Sequence, residues 1–125
     1  MSNTVLIVDD SAQIRQALCR LFTAAGGFEI CGEASNGEEA IHKVHELQPI
    51  LVVLDLRMPG INGLETARRL QALIQPPPII LYSLNAAEIA DKEAFDCGVT
   101  AVVSKAEGIR TLITKARTIL GQSAA

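Results

Sequence analysis

The stretch Ile50-Leu51-Val52-Val53-Leu54 sets five apolar residues in a row and then stops at Asp55. A strand with one wet face would alternate, and Pro59-Gly60 follows too soon for a long buried helix, so the run reads as a strand buried on both faces. Such strands belong to parallel sheets covered by helices. The rest of the chain repeats the pattern. Val5-Leu6-Ile7-Val8 ends in Asp9-Asp10, and Phe28 to Ala34 is a weaker run, broken by Glu29 and Glu33, that reads as an edge strand. Ile79-Ile80-Leu81-Tyr82 closes in Ser83, and Thr100-Ala101-Val102-Val103 closes in Ser104-Lys105.

Between these runs the apolar spacing changes from continuous to three-and-four. Ser11 is placed to cap a helix whose stripe is Ile14, Ala17, Leu18, Leu21, Phe22 and Ala25, stopped by Gly26-Gly27. Ser35-Asn36-Gly37 makes a turn, and Glu38 and Glu39 oppose the dipole of a second helix with inner face Ala40, Ile41, Val44 and Leu47. A third runs through Leu64, Ala67, Leu70 and Ile74 until Pro76-Pro77-Pro78 ends it. The fourth starts near Asn85, carries Ile89, Ala90 and Phe95, and ends at Gly98. The last carries Ile109, Leu112, Ile113, Ala116, Ile119 and Leu120, leaving residues 121–125 as a frayed tail. Five strands alternating with five helices predict an α/β fold with a doubly wound parallel sheet. At 125 residues there is room for one domain, with a core over residues 4–120, and none for a second.

Composition narrows the function. The net charge of -3 is spread without a basic stripe, so direct nucleic-acid binding is not expected. The leading apolar run is too short for a signal peptide or a membrane span, which predicts a cytoplasmic location and no membrane contact. Cys19, Cys31 and Cys97 form no Cys-x-x-Cys pair and read as buried reduced thiols, Cys97 with no activating neighbour in the sequence. His42 and His45 read as surface residues of the second helix rather than metal ligands.

In a parallel sheet every strand's carboxyl end faces one edge, so the exit residues Asp9, Asp10, Asp55, Ser83 and Lys105 converge. Three carboxylates in one crevice repel each other unless a cation sits among them. Hard oxygen ligands at a shallow site suit Mg2+, which keeps several waters and is completed by phosphate. Lys105 offers a compact positive charge and Ser83 a hydroxyl donor, an arrangement suited to a phosphoryl group in transfer. Asp55 is then the nucleophile, forming an acyl phosphate.

On the Asp9-Asp10 pair, Asp55-Leu56-Arg57-Met58-Pro59-Gly60 followed by Asn62-Gly63, the strand ending in Ser83, and Lys105, the chain resembles the response-regulator receiver domain of bacterial two-component signalling. The wording around Gly32–Gly37 and Asp55–Pro59 is similar to receivers of helix-turn-helix transcription regulators, whose output domain has no counterpart in the sequence. The resemblance implies a flavodoxin-like strand order, 2-1-3-4-5, and Asp55 as phosphoacceptor from a histidine kinase or phosphotransfer protein. It implies Mg2+ held by Asp10, Asp55 and the backbone carbonyl of Arg57, with Asp9 through water. It further implies a switch of the face formed by helix four, strand five and helix five, read by a downstream output protein or by a phosphorylation-dependent homodimer.

The sequence departs from the family pattern at three places. Val102 stands where an aromatic residue is usual, Ala106 follows the lysine where proline is common, and Leu84 is bulkier than the usual Ala and is expected to narrow access to Asp55. Three rival readings are a phosphorylation-independent interaction module, an aspartate-nucleophile phosphatase, and a nucleotide or flavin module. The phosphatase would place a second Asp where Arg57 stands, and the nucleotide site would need a glycine-rich turn where Asp9-Asp10 stands.

Overall fold

The computed structural model describes residues 3–84 and 91–121. Five parallel strands, β1 (Asn3–Val8), β2 (Phe28–Ala34), β3 (Leu51–Leu54), β4 (Ile79–Ser83) and β5 (Ala101–Ser104), lie in the order β2-β1-β3-β4-β5. This is the flavodoxin-like order, with the weakly patterned β2 at an edge. Four helices connect them, α1 (Ala12–Ala25), α2 (Gly37–Leu47), α3 (Gly63–Leu70) and α4 (Asp91–Asp96), and α5 (Ile109–Ile119) follows β5. β1 and β3 pair from Val5↔Leu51 to Val8↔Leu54, so the residues that follow, Asp9 and Asp55, leave the sheet side by side.

Every residue of β3 and β4 is buried, as continuous apolar runs require. Alternate side chains divide between two cores, following the period of two along each strand. Leu6, Val8, Val52, Leu54 and Leu81 face Ala40 and Val44 of α2, Ala67 and Leu70 of α3, and Ala94 of α4. Val5, Ile7, Val53, Ile80 and Tyr82 face Leu18 and Phe22 of α1 and Leu112, Ile113 and Ala116 of α5. Phe22, fully buried, meets Phe28 edge-to-face with centroids 5.0 Å apart.

Helix starts follow the capping expected of Ser and Asn. Ile14 N–H donates to Ser11 Oγ at 3.3 Å, Glu39 N–H to Asn36 Oδ1 at 2.8 Å and Glu65 N–H to Asn62 Oδ1 at 2.9 Å. Gly37 at the start of α2 packs so closely that a Cβ there would stand 2.6 Å from Ile61 Cγ1.

Several expectations about inner faces are corrected. α3 ends at Leu70, and Ile74 is fully exposed, because the chain turns over residues 71–75 before the prolines. Phe95 is 53% exposed, and Ala94, Cys97 and Val99 take the buried places beside it. Ile50 precedes β3 and is 44% exposed, and Leu47 at the end of α2 is 38% exposed. Ala17 turns outward; β1 begins earlier than expected, at Asn3, and β5 starts at Ala101 rather than Thr100. The expected helix start near Asn85, with Ile89 and Ala90, the Ile109 side chain and residues 122–125 of the tail lie outside the described residues. Among the described residues no helix is long and apolar enough to cross a membrane.

Candidate functional site

Asp9, Asp10 and Asp55 stand just beyond the ends of β1 and β3, held there by the sheet's own hydrogen bonds. Asp9 N–H donates to Ala34 O at 3.0 Å and Asp55 N–H to Val8 O at 2.9 Å, so the ladder continues one residue past each strand. Asp9 and Asp55 are buried and Asp10 is exposed. One carboxylate oxygen from each of the three lies within 4.8 Å of the others.

Lys105 enters from a single 3-10 turn at Lys105–Glu107 after β5. Its Nζ lies 3.1 Å from Asp9 Oδ2 and 3.6 Å from Asp55 Oδ1, with the lysine side chain only 12% exposed. The ammonium thus ties together two strand exits 50 and 96 positions distant from it in the chain. Ser83 is buried at the end of β4, in register with Ser104. Arg57 lies two residues past Asp55 with its side chain exposed.

Burial pushes the Asp55 carboxyl up from its ordinary 3.8 to about 6; the neighbouring Asp9 charge adds to this, Lys105 and a backbone hydrogen bond at Leu56 oppose it, and Asp10 adds the least. One ammonium does not neutralise three carboxylates, so net negative charge remains at the strand exits. Three close carboxylates, one of them open to water, match the donor set of a hard divalent cation such as Mg2+. Beside Asp10 a cleft of about 530 Å³ opens between Ser35, Asn36 and Glu38 on one wall and Pro59, Gly60 and Ile61 on the other.

Residues outside the expected set support this edge. Arg15 on α1 donates through Nη1 to the Asp9 carbonyl at 2.6 Å and through Nε to Glu33 at 3.1 Å, clamping the β1 exit to the sheet edge. The only signal for it in the sequence is a basic residue four positions after the capping Ser11. Gly63 N–H donates to Leu56 O at 2.7 Å, and a Cβ on Gly63 would clash with the Asp55 carbonyl and stand 2.9 Å from Leu56 Cα. The loop carrying Asp55 is therefore seated directly on the first turn of α3.

Other expectations resolve plainly. Leu84 is 72% exposed, turned to solvent. No peptide bond among the described residues is cis, the one before Ala106 included. His42 sits exposed, 3.6 Å from Glu46 within α2. Cys19 and Cys31 are half-buried rather than buried. Cys97 is buried but has the neighbour the sequence hid: Arg68 Nη2 lies 3.4 Å from its sulfur, brought from α3.

Residues 5–117 match the family model for the response regulator receiver domain. The chain is 36% identical to the chemotaxis protein CheY of Thermotoga maritima, over 84% of this chain and 87% of that protein. It is 38% identical to a protein-glutamate methylesterase/protein-glutamine glutaminase of Bacillus licheniformis over 83% of this chain, but that match spans only 29% of the longer protein. The fold is also that of the CheX-CheY-BeF3-Mg complex from Borrelia burgdorferi, with a TM-score of 0.83, 26% identity, and coverage of 94% of this chain and 88% of that one.

Proposed function

From its membership of the response regulator receiver domain family, we propose that this chain is a phosphoacceptor signalling switch charged on Asp55. The observation that carries the proposal is the Lys105 ammonium set between the Asp9 and Asp55 carboxylates, with Asp10 beside them. A structural salt bridge needs one acid per base; three clustered acids with one buried ammonium leave net negative charge that a divalent metal offsets, and metal and ammonium together can then receive the oxygens of a phosphoryl group.

The donor is the phosphohistidine of a sensor kinase or phosphotransfer protein. An Asp55 carboxylate oxygen attacks phosphorus in line, the bond from phosphorus to the imidazole nitrogen breaks, and an acyl phosphate forms as the imidazole leaves with a proton. Lys105 and Ser83 follow the phosphoryl oxygens, one with its charge and the other with its hydroxyl. Asp10, Asp55 and the Arg57 carbonyl, with Asp9 beside them, would hold Mg2+, which would supply positive charge against those oxygens. Attack of water on phosphorus later returns Asp55 and inorganic phosphate, so the chain turns over its own modification and no separate substrate. An aspartate-nucleophile phosphatase is disfavoured, since the position for its acid-base residue holds the exposed Arg57.

The shift of Ser83 and Lys105 biases the α4–β5–α5 face, where an output protein or a second copy docks in the cytoplasm. The fold neighbour crystallised with beryllofluoride and magnesium supports the chemistry in a relative. Incubation with acetyl phosphate and Mg2+ should give one phosphorylated species on Phos-tag electrophoresis, absent in Asp55→Asn. Retained labelling of the variant rules out Asp55 as acceptor.

Val102, half-buried where the family usually carries an aromatic residue, favours a second reading in which the face binds its partner without phosphorylation. Equal partner affinity with and without beryllofluoride would select that reading.

A further inference from the structure

Tyr82 is 6% exposed and packs within the core shared with α1 and α5. Its place is nonetheless directly before Ser83 and paired in register with Val103 of β5. The Lys105 ammonium lies 5.7 Å from the ring centroid, within the range in which a ring quadrupole attracts a cation. Burial lifts the Tyr82 phenol above its ordinary value, and the Lys105 charge opposes that rise, so ring and ammonium share one field. The same ammonium has two charged partners, Asp9 and Asp55. Those two change their hold on it whenever the site gains a metal or a phosphoryl group. The ring itself keeps its charge and its place, because it is neutral and buried in the core.

We propose that Tyr82 is a positioning residue whose ring face keeps the Lys105 ammonium at the level of the Asp55 carboxylate, and that the ammonium leaves the ring when a phosphoryl group occupies Asp55. A lysine has four flexible bonds and no preferred place among acids of equal charge. A neutral partner at a fixed point removes that freedom without competing for the phosphoryl group, so orientation is set before the donor arrives. The inference rests on the phosphoacceptor reading above. It differs from an aromatic rotamer relay on β5, since it concerns the opposite face of the sheet, where Tyr82 packs, and needs no rotation of the ring.

The test compares wild type, Tyr82→Phe and Tyr82→Leu by NMR and by the rate of acetyl phosphate labelling with Mg2+. The ring current should displace the Lys105 ε-methylene protons upfield in wild type and Tyr82→Phe, and not in Tyr82→Leu. Labelling should be retained in Tyr82→Phe and slowed about three- to tenfold in Tyr82→Leu, with both variants cooperatively folded by circular dichroism. Beryllofluoride with Mg2+, its binding verified by fluorine NMR, should move the Lys105 signal downfield in wild type. Because the chain has one Tyr and no Trp, tyrosine emission should change in the same titration. An undisplaced Lys105 signal in wild type, equal labelling of Tyr82→Leu and wild type, or equal slowing of the Phe and Leu variants overturns the role of the ring. Absence of any bound beryllofluoride in wild type overturns the phosphoacceptor reading instead, and with it the second half of this proposal, while the ring-current comparison still decides the first half.

Discussion

Asp55→Asn should make the metal-free protein more stable at neutral pH. The substitution keeps the shape of the side chain and removes a charge that folding disfavours, while Lys105 keeps its 3.1 Å partner Asp9. A carboxyl ordinarily at 3.8 and held at about 6 in the folded state corresponds to a ceiling of about 3 kcal/mol. The rim opens to water at Asp10, so screening reduces the expected gain to about 1–2 kcal/mol. For a domain of this size that is a rise in Tm of about 3–8 °C. With the folded pKa raised, the aspartate is no burden below about pH 4, where both states carry it protonated. The advantage of Asn therefore opens as pH rises from about 4 through 6 and is flat above. Urea unfolding in EDTA at pH 4, 5, 6 and 7.5, compared at equal m-values, measures it. Added Mg2+ should stabilise wild type more than the variant, by up to about 2.7 kcal/mol at a hundredfold excess over its Kd. A variant no more stable than wild type at pH 7.5, or a gain that does not shrink toward pH 4, refutes the claim that the buried Asp55 charge, crowded by Asp9, is the stress in this site.

Lys105→Met leaves the buried Asp9 and Asp55 carboxylates without their cation and should cost about 1–3 kcal/mol in urea at pH 7.5; Mg2+ should restore part of it, and an unchanged midpoint would contradict the pairing. Gly63→Ala forces the loop away from the Asp55 carbonyl, with an expected loss of about 1–3 kcal/mol and slower labelling by acetyl phosphate, both readable on one preparation. Phe95→Ser should stay within about 0.5 kcal/mol of wild type in thermal unfolding because the ring is half in solvent, whereas a large loss would place it in the core.

What was legible in the sequence is what one residue's neighbours along the chain dictate. Continuous apolar runs located β3 and β4, the interrupted run over Phe28–Ala34 located an edge, and Ser11 preceded a helix as a capping residue does. Because parallel topology delivers all strand exits to one side, the meeting of Asp9, Asp10, Asp55 and Lys105 followed from the alternation alone. The errors gathered where apolar spacing has no single answer. A stripe through Leu70 and Ile74 fits a helical face, yet the turns before Pro76 let Ile74 swing into solvent. In α4, described over Asp91–Asp96, Ala94 and Phe95 are adjacent and periodicity could not choose between them. The sheet chose the smaller, because α4 packs close enough to bury Ala94 and Cys97.

The sequence by itself determined the order of elements, the burial of the central strands and the gathering of acids around one lysine, since these depend on local period and on chain direction. Only the tertiary structure decided that Arg15 grips the Asp9 carbonyl, that Arg68 reaches Cys97, that Gly63 must be bare beneath the Asp55 loop, and that the Lys105 ammonium stands over Tyr82. The physical reason is the reach of the forces involved. Backbone geometry repeats every two or 3.6 residues and leaves its mark in the order of letters. A guanidinium, a ring face or a missing methyl acts across a few ångströms of space, between residues the chain itself holds far apart.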